Sequence, residues 1–333
     1  MAPHDIPPDL PTTIGRYRIL ERLSPARDGR VYKGFDPIIE RHVAVKVFSF
    51  GALDAAAAGA IRQTFYGQMQ RIGALTHTGI TTLFDAGEAP GGAFMATEFV
   101  EGTSLSELLA ADRDWSLPEQ VSLVAQLADA LEYAREQSVP HLHLRPSNVL
   151  LDADGTVKVR GFGIASIQDA LESETTQNTA RSEWSAPERR AGSPGDGRSD
   201  VYSLARIAQR ILGDAVPEPP ASAAALAEVF QQALAPDAND RFATAGAFKY
   251  ALMLALGLDE VEVRIAWETT REAGNVMAAD RSGTGFPHSA VNGDLTAMIL
   301  ETPTHRSPLS SGDVETIAET VSGADDPELT KPA

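Results

Sequence analysis

The chain has 333 residues, 43% of them hydrophobic, and a formal net charge of −18 at pH 7. It contains no cysteine, which excludes a disulfide framework, a thiolate metal site and a cysteine nucleophile. The acidic balance disfavours binding to nucleic acid or to an anionic membrane surface, because Lys and Arg carry both kinds of recognition.

The first residues, MAPHDIPPDLPTT, lack the basic stretch and apolar core of a secretory signal. The longest apolar runs, such as YALMLALGL at 250–258, are far shorter than the ~18 residues that a membrane span needs. We therefore expect a soluble, cytoplasmic protein.

Residues 16–100 predict a small α+β unit, after a Pro-rich segment at 1–15 that we expect to be disordered. The stretches RYRILERL, GRVYKGFD and HVAVKVFSF alternate apolar with polar residues, as antiparallel strands do. Residues 54–75 carry apolar side chains at helical spacing. TTLFDAGEAP and GAFMATEFV indicate two more strands, which gives five strands and one helix.

Residues 101–257 change to a helical pattern. Apolar residues at 121–134 recur at helical spacing, and Pro118 lies in the first turn of that helix. Further helices are predicted at 200–213, 221–235 and 244–256.

Residues 258–333 form an acidic, Thr-rich tail with 14 acidic and 5 basic residues, which we expect to be mostly disordered. Thr296, followed three residues later by Ile299, resembles a ligand of a phosphothreonine-binding domain of the forkhead-associated type. Thr316 lies in a similar acidic context. Both are candidate phosphosites, and the alternative is an inert, solvated tail.

Several segments between residues 16 and 257 resemble, in order and spacing, the motifs of bacterial Ser/Thr protein kinases. HLHLRPSNVLL at 141–151 and GTVKVRGFGIA at 155–165 correspond to the catalytic loop and the metal-binding strand. The family pattern there is close to HRDLKPxNILL and GxVKLxDFGIA. The resemblance implies a bilobal protein-kinase-like fold, with a small five-stranded β lobe plus one helix and a larger, mainly helical lobe.

The positions that carry kinase chemistry are changed. The resemblance puts His143 in place of the catalytic-base Asp and Gly161 in place of the metal-binding Asp. Leu142 replaces an Arg that pairs with phosphate on the activation segment, and Gln68 replaces the Glu that holds Lys46. Loss of a general acid/base typically costs ~10²- to 10⁴-fold in rate. We therefore expect a chain that is not an enzyme.

Other positions imply a residual nucleotide pocket. The phosphate loop keeps only one family glycine, Gly29, and Asn148 matches the ligand of a second metal. Asn148 alone is a weak site, because magnesium prefers an oxygen octahedron with one or two carboxylates. We expect no required cofactor, and ATP binding without strong dependence on magnesium. The candidate nucleotide-binding residues are Gly29, Lys46, Thr97, Glu98, Val100, Arg145 and Asn148.

The residues that hold the fold in this family are kept. Glu188 of the APE motif, Asp200 and Arg241 all match, and the resemblance implies an ion pair between Glu188 and Arg241.

The leading hypothesis is a pseudokinase that acts as a scaffold or allosteric regulator. Its partner would be an active Ser/Thr kinase or a phosphothreonine-binding protein, and we expect neither a nucleic-acid partner nor a membrane span. One alternative is a weak ATP-dependent Ser/Thr kinase that uses Lys46, Asn148 and His143 as base. Another is a magnesium-independent nucleotide sensor.

Overall fold

The computed structural model describes residues 10–23, 30–51, 53–111, 115–152, 154–175, 183–213, 220–259, 261 and 264. Most of these residues build a β-sheet lobe and a helical lobe, and together they lie in one compact unit that spans residues 1–283. The predicted α+β fold class is confirmed.

The first sheet has six antiparallel strands in the order β1-β2-β3-β4-β6-β5. They are β1 Thr13–Ile14, β2 Tyr17–Arg22, β3 Arg30–Asp36, β4 Arg41–Ser49, β5 Leu83–Ala89 and β6 Gly92–Glu98. The sequence predicts the last five. β1 lies inside the segment for which disorder was expected, and two residues are too few to show an alternating pattern.

Helix α1 spans Ala55–Gly73 and lies between β4 and β5 in the sequence. The Asp54 carboxylate caps it by accepting the N–H of Ala57 at 2.9 Å. The apolar residues that predicted this helix form its buried face: Ile61, Phe65, Met69 and Ile72.

A second sheet, which the sequence analysis missed, holds the segments around the site. It has the order β7-β8-β9, with β7 Gly102–Ser104, β8 Val149–Asp152 and β9 Val157–Val159. A parallel bridge between Ile80 and Val159 ties β9 to the chain just before β5. This bridge places the middle of the GTVKVRGFGIA segment next to the stretch of chain that leads into the first sheet.

The larger helices agree with the predicted ranges to within a few residues. They are α3 Leu117–Glu136, α6 Gly197–Leu212, α7 Pro220–Ala233 and α8 Ala245–Leu256. Three short helices were not predicted: α2 Leu105–Ala110, α4 Ala165–Thr175 and α5 Pro187–Arg190.

One large hydrophobic core runs from the sheet through to α8 and contains Phe162, Leu204 and Phe248. A smaller core around Tyr17, Tyr32 and Phe94 covers the other face of the first sheet. Among the residues that the structure describes, no helix is long and apolar enough to cross a membrane.

Candidate active site

A buried carboxylate holds the backbone of the catalytic loop. Asp200, in the first turn of α6, accepts the backbone N–H of His141 at 2.7 Å and of Leu142 at 2.6 Å. Leu142 has a positive φ of 58°, a backbone conformation that residues other than glycine rarely adopt unless other contacts stabilise it. Burial raises the pKa of Asp200 to about 7, although the two N–H donors oppose that shift.

His141 is fully buried and packs edge-on against Phe162, with ring centroids 4.8 Å apart. Its Nδ1 accepts the N–H of His143 at 3.2 Å, so the proton sits on Nε2, which donates to the carbonyl of Arg160 at 3.2 Å. Burial lowers the pKa of His141 to about 4. This neutral imidazole therefore links the catalytic loop to Arg160, the residue that follows β9.

His143 stands where the family has its catalytic base. Its carbonyl accepts from Asn148 Nδ2 at 3.0 Å, which fixes the loop between them. Burial, and then the positive charge of Arg145, lower the pKa of the His143 imidazole to about 3. Lys46 and Arg189 act in the same direction. The side chain is therefore neutral near pH 7 and one of its ring nitrogens can accept a hydrogen bond.

Gly161 adopts a φ of +96°, which favours glycine. A Cβ built there would lie 3.9 Å from Asn148 Nδ2 and from His141, and 3.5 Å from Ile164. Space for a side chain therefore exists beside Asn148, but the position offers no carboxylate.

The residues present do not fit a magnesium ion held by the protein. Within the described part of the chain, no group of three or more His, Asp or Glu residues could hold a metal ion. The one family metal ligand that is kept, Asn148, holds His143 through its amide nitrogen and so offers a metal only its neutral Oδ1 oxygen. Magnesium requires carboxylate oxygens that this arrangement does not supply.

Lys46 lies in β4, opposite Met95 of β6 and Val31 of β3. Its Nζ is 5.4 Å from the centre of the Phe48 ring. Gln68, the residue in the family's Glu position, is half-buried in α1 beside the buried Met69. The positive charge of Lys46 acts on the catalytic loop. Burial is the main cause of the low pKa values of His141 and His143, and Lys46 is one of the groups that lower them further.

The expected hinge follows β6. Thr97 pairs with Ala44 and Leu83 in the sheet. The Glu98 carboxylate binds Lys158 of β9 at 2.9 Å, and the backbone N–H of Glu98 donates to Thr82. The Glu98 side chain therefore ties the hinge to β9.

The fold-holding residues form the ion pair that the resemblance implies. Arg241, whose side chain is fully buried, donates to both carboxylate oxygens of Glu188 at 2.7 and 2.8 Å. Ser199 of α6 donates to the same carboxylate at 2.6 Å. Burial opposes ionisation of Glu188, but hydrogen bonds from Arg241 and Ser199 hold its pKa at about 2.

A second buried arginine, Arg189, was not predicted from the sequence. Its guanidinium binds the Asp169 carboxylate of α4 at 2.7 Å and also contacts the carbonyl of Leu142. The doublet Arg189-Arg190 directly after the APE motif was the only sequence signal, and nothing in it indicates the partner.

Some predicted site residues fall outside the described residues. They are Gly29 and the candidate phosphosites Thr296 and Thr316, and their roles stay predictions.

Comparison with known proteins agrees with this geometry. A family model described as "Protein kinase domain" matches residues 17–244. The serine/threonine-protein kinase PrkC of Bacillus subtilis is 30% identical over 229 residues, which are 68% of this chain and 34% of that protein. Pkn1 of Myxococcus xanthus, also named a serine/threonine-protein kinase, is 30% identical over 289 residues, or 78% and 40% of the two chains. The chain thus spans between about a third and two-fifths of the length of these relatives.

These matches correct one expectation. The family model and the relatives named as kinases point to an enzyme, a protein kinase, so the prediction of a chain that is not an enzyme is wrong. The physical reason is that the changes at His143 and Gly161 remove two carboxylates and leave the positioning contacts around them in place.

Proposed function

Since the chain belongs to the protein kinase family, we propose that it is an atypical ATP-dependent Ser/Thr protein kinase that turns over slowly. The proposed roles follow the family pattern. Lys46 binds the nucleotide phosphates, Asn148 orders the catalytic loop, and His143 receives the hydrogen bond of the substrate hydroxyl.

The observation that carries the proposal is that hydrogen bonds to Asp200 and Asn148 hold in place the loop that contains His143. Burial and nearby cations hold the pKa of His143 at about 3, so it accepts a hydrogen bond throughout the physiological pH range. Phosphoryl transfer passes through a loose transition state in which the protein mainly positions the reactants. A weak base that orients the hydroxyl is therefore enough for slow transfer.

In this proposal, positively charged side chains stabilise the negative charge of the nucleotide phosphates in place of a metal ion held by carboxylates. Burial is the main cause of the low pKa of His143, and Lys46 and Arg145 both lie close enough to lower it further. Positive side chains of this kind can stabilise the charge on a triphosphate without a metal held by the protein. We therefore propose that ATP binds with little dependence on magnesium.

Transfer of labelled phosphate from ATP tests the function. Wild type and Lys46→Met are incubated with a generic protein substrate, with magnesium and with a chelator. We expect incorporation that depends on Lys46, at a rate about 100-fold or more below the ~1 to 100 per second of ordinary kinases.

The outcome that contradicts the proposal is equal incorporation by wild type and Lys46→Met in both conditions. A wild-type signal that disappears with the chelator would keep the kinase activity and reject the proposed independence from magnesium.

A further inference from the structure

The peptide group between Leu142 and His143 is held at both ends. Its N–H, which belongs to His143, donates to His141 Nδ1 at 3.2 Å. Its oxygen, which belongs to Leu142, lies 3.4 Å from Nε of Arg189. Because this peptide leads into His143, any group that fixes its plane also restricts the directions in which the imidazole can leave the backbone.

Arg189 joins this peptide to other segments. Its residue is 8% exposed, so the guanidinium is largely shielded from water. Nη1 donates to the carbonyls of Ser193 and Pro194, both at 3.0 Å. Nη2 donates to the Asp169 carboxylate at 2.7 Å. A planar guanidinium with this many fixed acceptors has little freedom to rotate.

Asp169 brings α4 into the same network. This helix begins two residues after Gly163, and Ile164 and Ile167 bury its first turn in the main core. The Asp169 side chain is 43% exposed, whereas that of Arg189 is 9% exposed. Of the residues that the structure describes, Asp169 is the only one whose carboxylate accepts a hydrogen bond from the Arg189 guanidinium.

We infer that Arg189 and Asp169 are positioning residues for the catalytic loop: the ion pair orients the Leu142–His143 peptide and couples it to α4. The inference rests on the proposed kinase function. In the family, an Arg at the position of Leu142 pairs with a phosphate group on the activation segment. Here the pair of Arg189 and Asp169 links the catalytic loop to α4 without a phosphate group. Leu142, an apolar residue, cannot supply such a link itself.

The test is Asp169→Asn in the full chain, which keeps the shape of the side chain and removes its charge. We expect kcat to fall by about 10- to 100-fold, since small misplacements of catalytic groups cost this much. KM for ATP should stay within about 2-fold, because Lys46 is not part of the network. Asp169→Glu, which keeps the charge, should recover most of kcat.

Asp129→Asn is the matched control. Asp129 forms an ion pair of similar exposure with Lys249, at 2.9 Å between α3 and α8, away from the catalytic loop. Its removal should leave kcat unchanged. An equal loss of kcat in Asp129→Asn, or no loss in Asp169→Asn, would overturn the inference.

Amide hydrogen exchange separates a failure of this inference from a failure of the proposed function. Asp169→Asn should speed exchange in residues 141–143 and 165–171 relative to wild type and to the Asp129→Asn control. If the wild type shows no Lys46-dependent transfer, the proposed function fails and the exchange result still decides the coupling. Unchanged exchange in these segments would reject it.

Discussion

At the level of single residues, His143 and Gly161 change different parts of one site. His143 keeps a hydrogen-bond acceptor where the family has a carboxylate, and its pKa of about 3, set by burial and nearby cations, makes it a weak base. Gly161 leaves space beside Asn148 but no ligand. For the proposed kinase activity, we therefore expect the first change to slow proton transfer and the second to remove the protein's ligand for a metal ion.

Gly161→Asp should restore dependence on magnesium. The built Cβ has no neighbour closer than 3.5 Å, so the side chain fits, although the φ of +96° strains any residue other than glycine. We expect transfer with magnesium to rise by about 10-fold or more, because a bound metal stabilises transition-state charge by several kcal/mol. The labelled-ATP assay measures the change.

Gly161→Asn is the control for that variant, since it imposes the same backbone strain without a carboxylate. A similar gain in the Asn variant, or no gain in the Asp variant, would show that a missing carboxylate at this position does not limit the rate.

His143 also predicts a dependence of stability on pH. Its pKa is about 3 in the folded chain, where burial is the main cause, and ~6.5 when unfolded, so the unfolded state binds more protons between these values. Above pH ~6.5 the imidazole is neutral in both states and does not change the free energy of unfolding. Below that pH only the unfolded state takes up a proton, so the free energy of unfolding decreases as the pH falls. The wild type should lose about 2 kcal/mol relative to His143→Gln between pH 7.5 and pH 5.

Urea unfolding of both proteins at the two pH values measures this difference. If the free energies of unfolding of wild type and His143→Gln differ by the same amount at both pH values, the fold does not keep the imidazole neutral.

At the level of elements, short helices are fixed by ion pairs rather than by their own propensity. α5 has four residues, too few to be stable alone. Glu188 of α5 binds Arg241, which precedes α8, and accepts from Ser199 of α6. A similar contact, Asp169 with Arg189, holds α4 to α5. These contacts set where the segment after Gly161 lies.

Glu188→Gln should therefore destabilise the chain strongly. It leaves the fully buried Arg241 side chain without its counter-charge, a change that typically costs about 3 to 5 kcal/mol. The free energy of unfolding in urea at pH 7 measures the loss. Because hydrogen bonds from Arg241 and Ser199, against the opposing effect of burial, lower the pKa of Glu188 to about 2, the contribution is complete above pH ~4.5. It is lost as the pH falls toward 2.

Asp129→Asn serves again as the comparison, because an exposed ion pair contributes at most about 1 kcal/mol. Equal losses in the two variants would mean that burial of Arg241 has no special cost.

At the level of the whole molecule, the site depends on the joint between the two sheets. The bridge between Ile80 and Val159 and the ion pair between Glu98 and Lys158 connect β9 to the first sheet. β9 leads directly into Gly161, so this joint sets the distance between the GFG segment and Lys46. One continuous core runs beneath it, which makes the arrangement cooperative.

The sequence by itself determined the class of fold, the long helices and the strands of the first sheet except β1. Their periodic apolar residues face one core, and periodicity is a local signal. The resemblance to the family also predicts that Lys46, His143, Asn148 and Gly161 share one site, because the motifs that contain them keep the family order.

The tertiary structure decided the rest. β7 to β9 are three or four residues long, too short for an alternating pattern, and β7 pairs with β8 across more than 40 residues of chain. The neutral state of His143 depends on burial and on cations from other segments. Arg189 lies 20 residues from Asp169 and 47 from Leu142 in the chain. No local pattern encodes contacts between residues so far apart, because packing of the whole core brings them together.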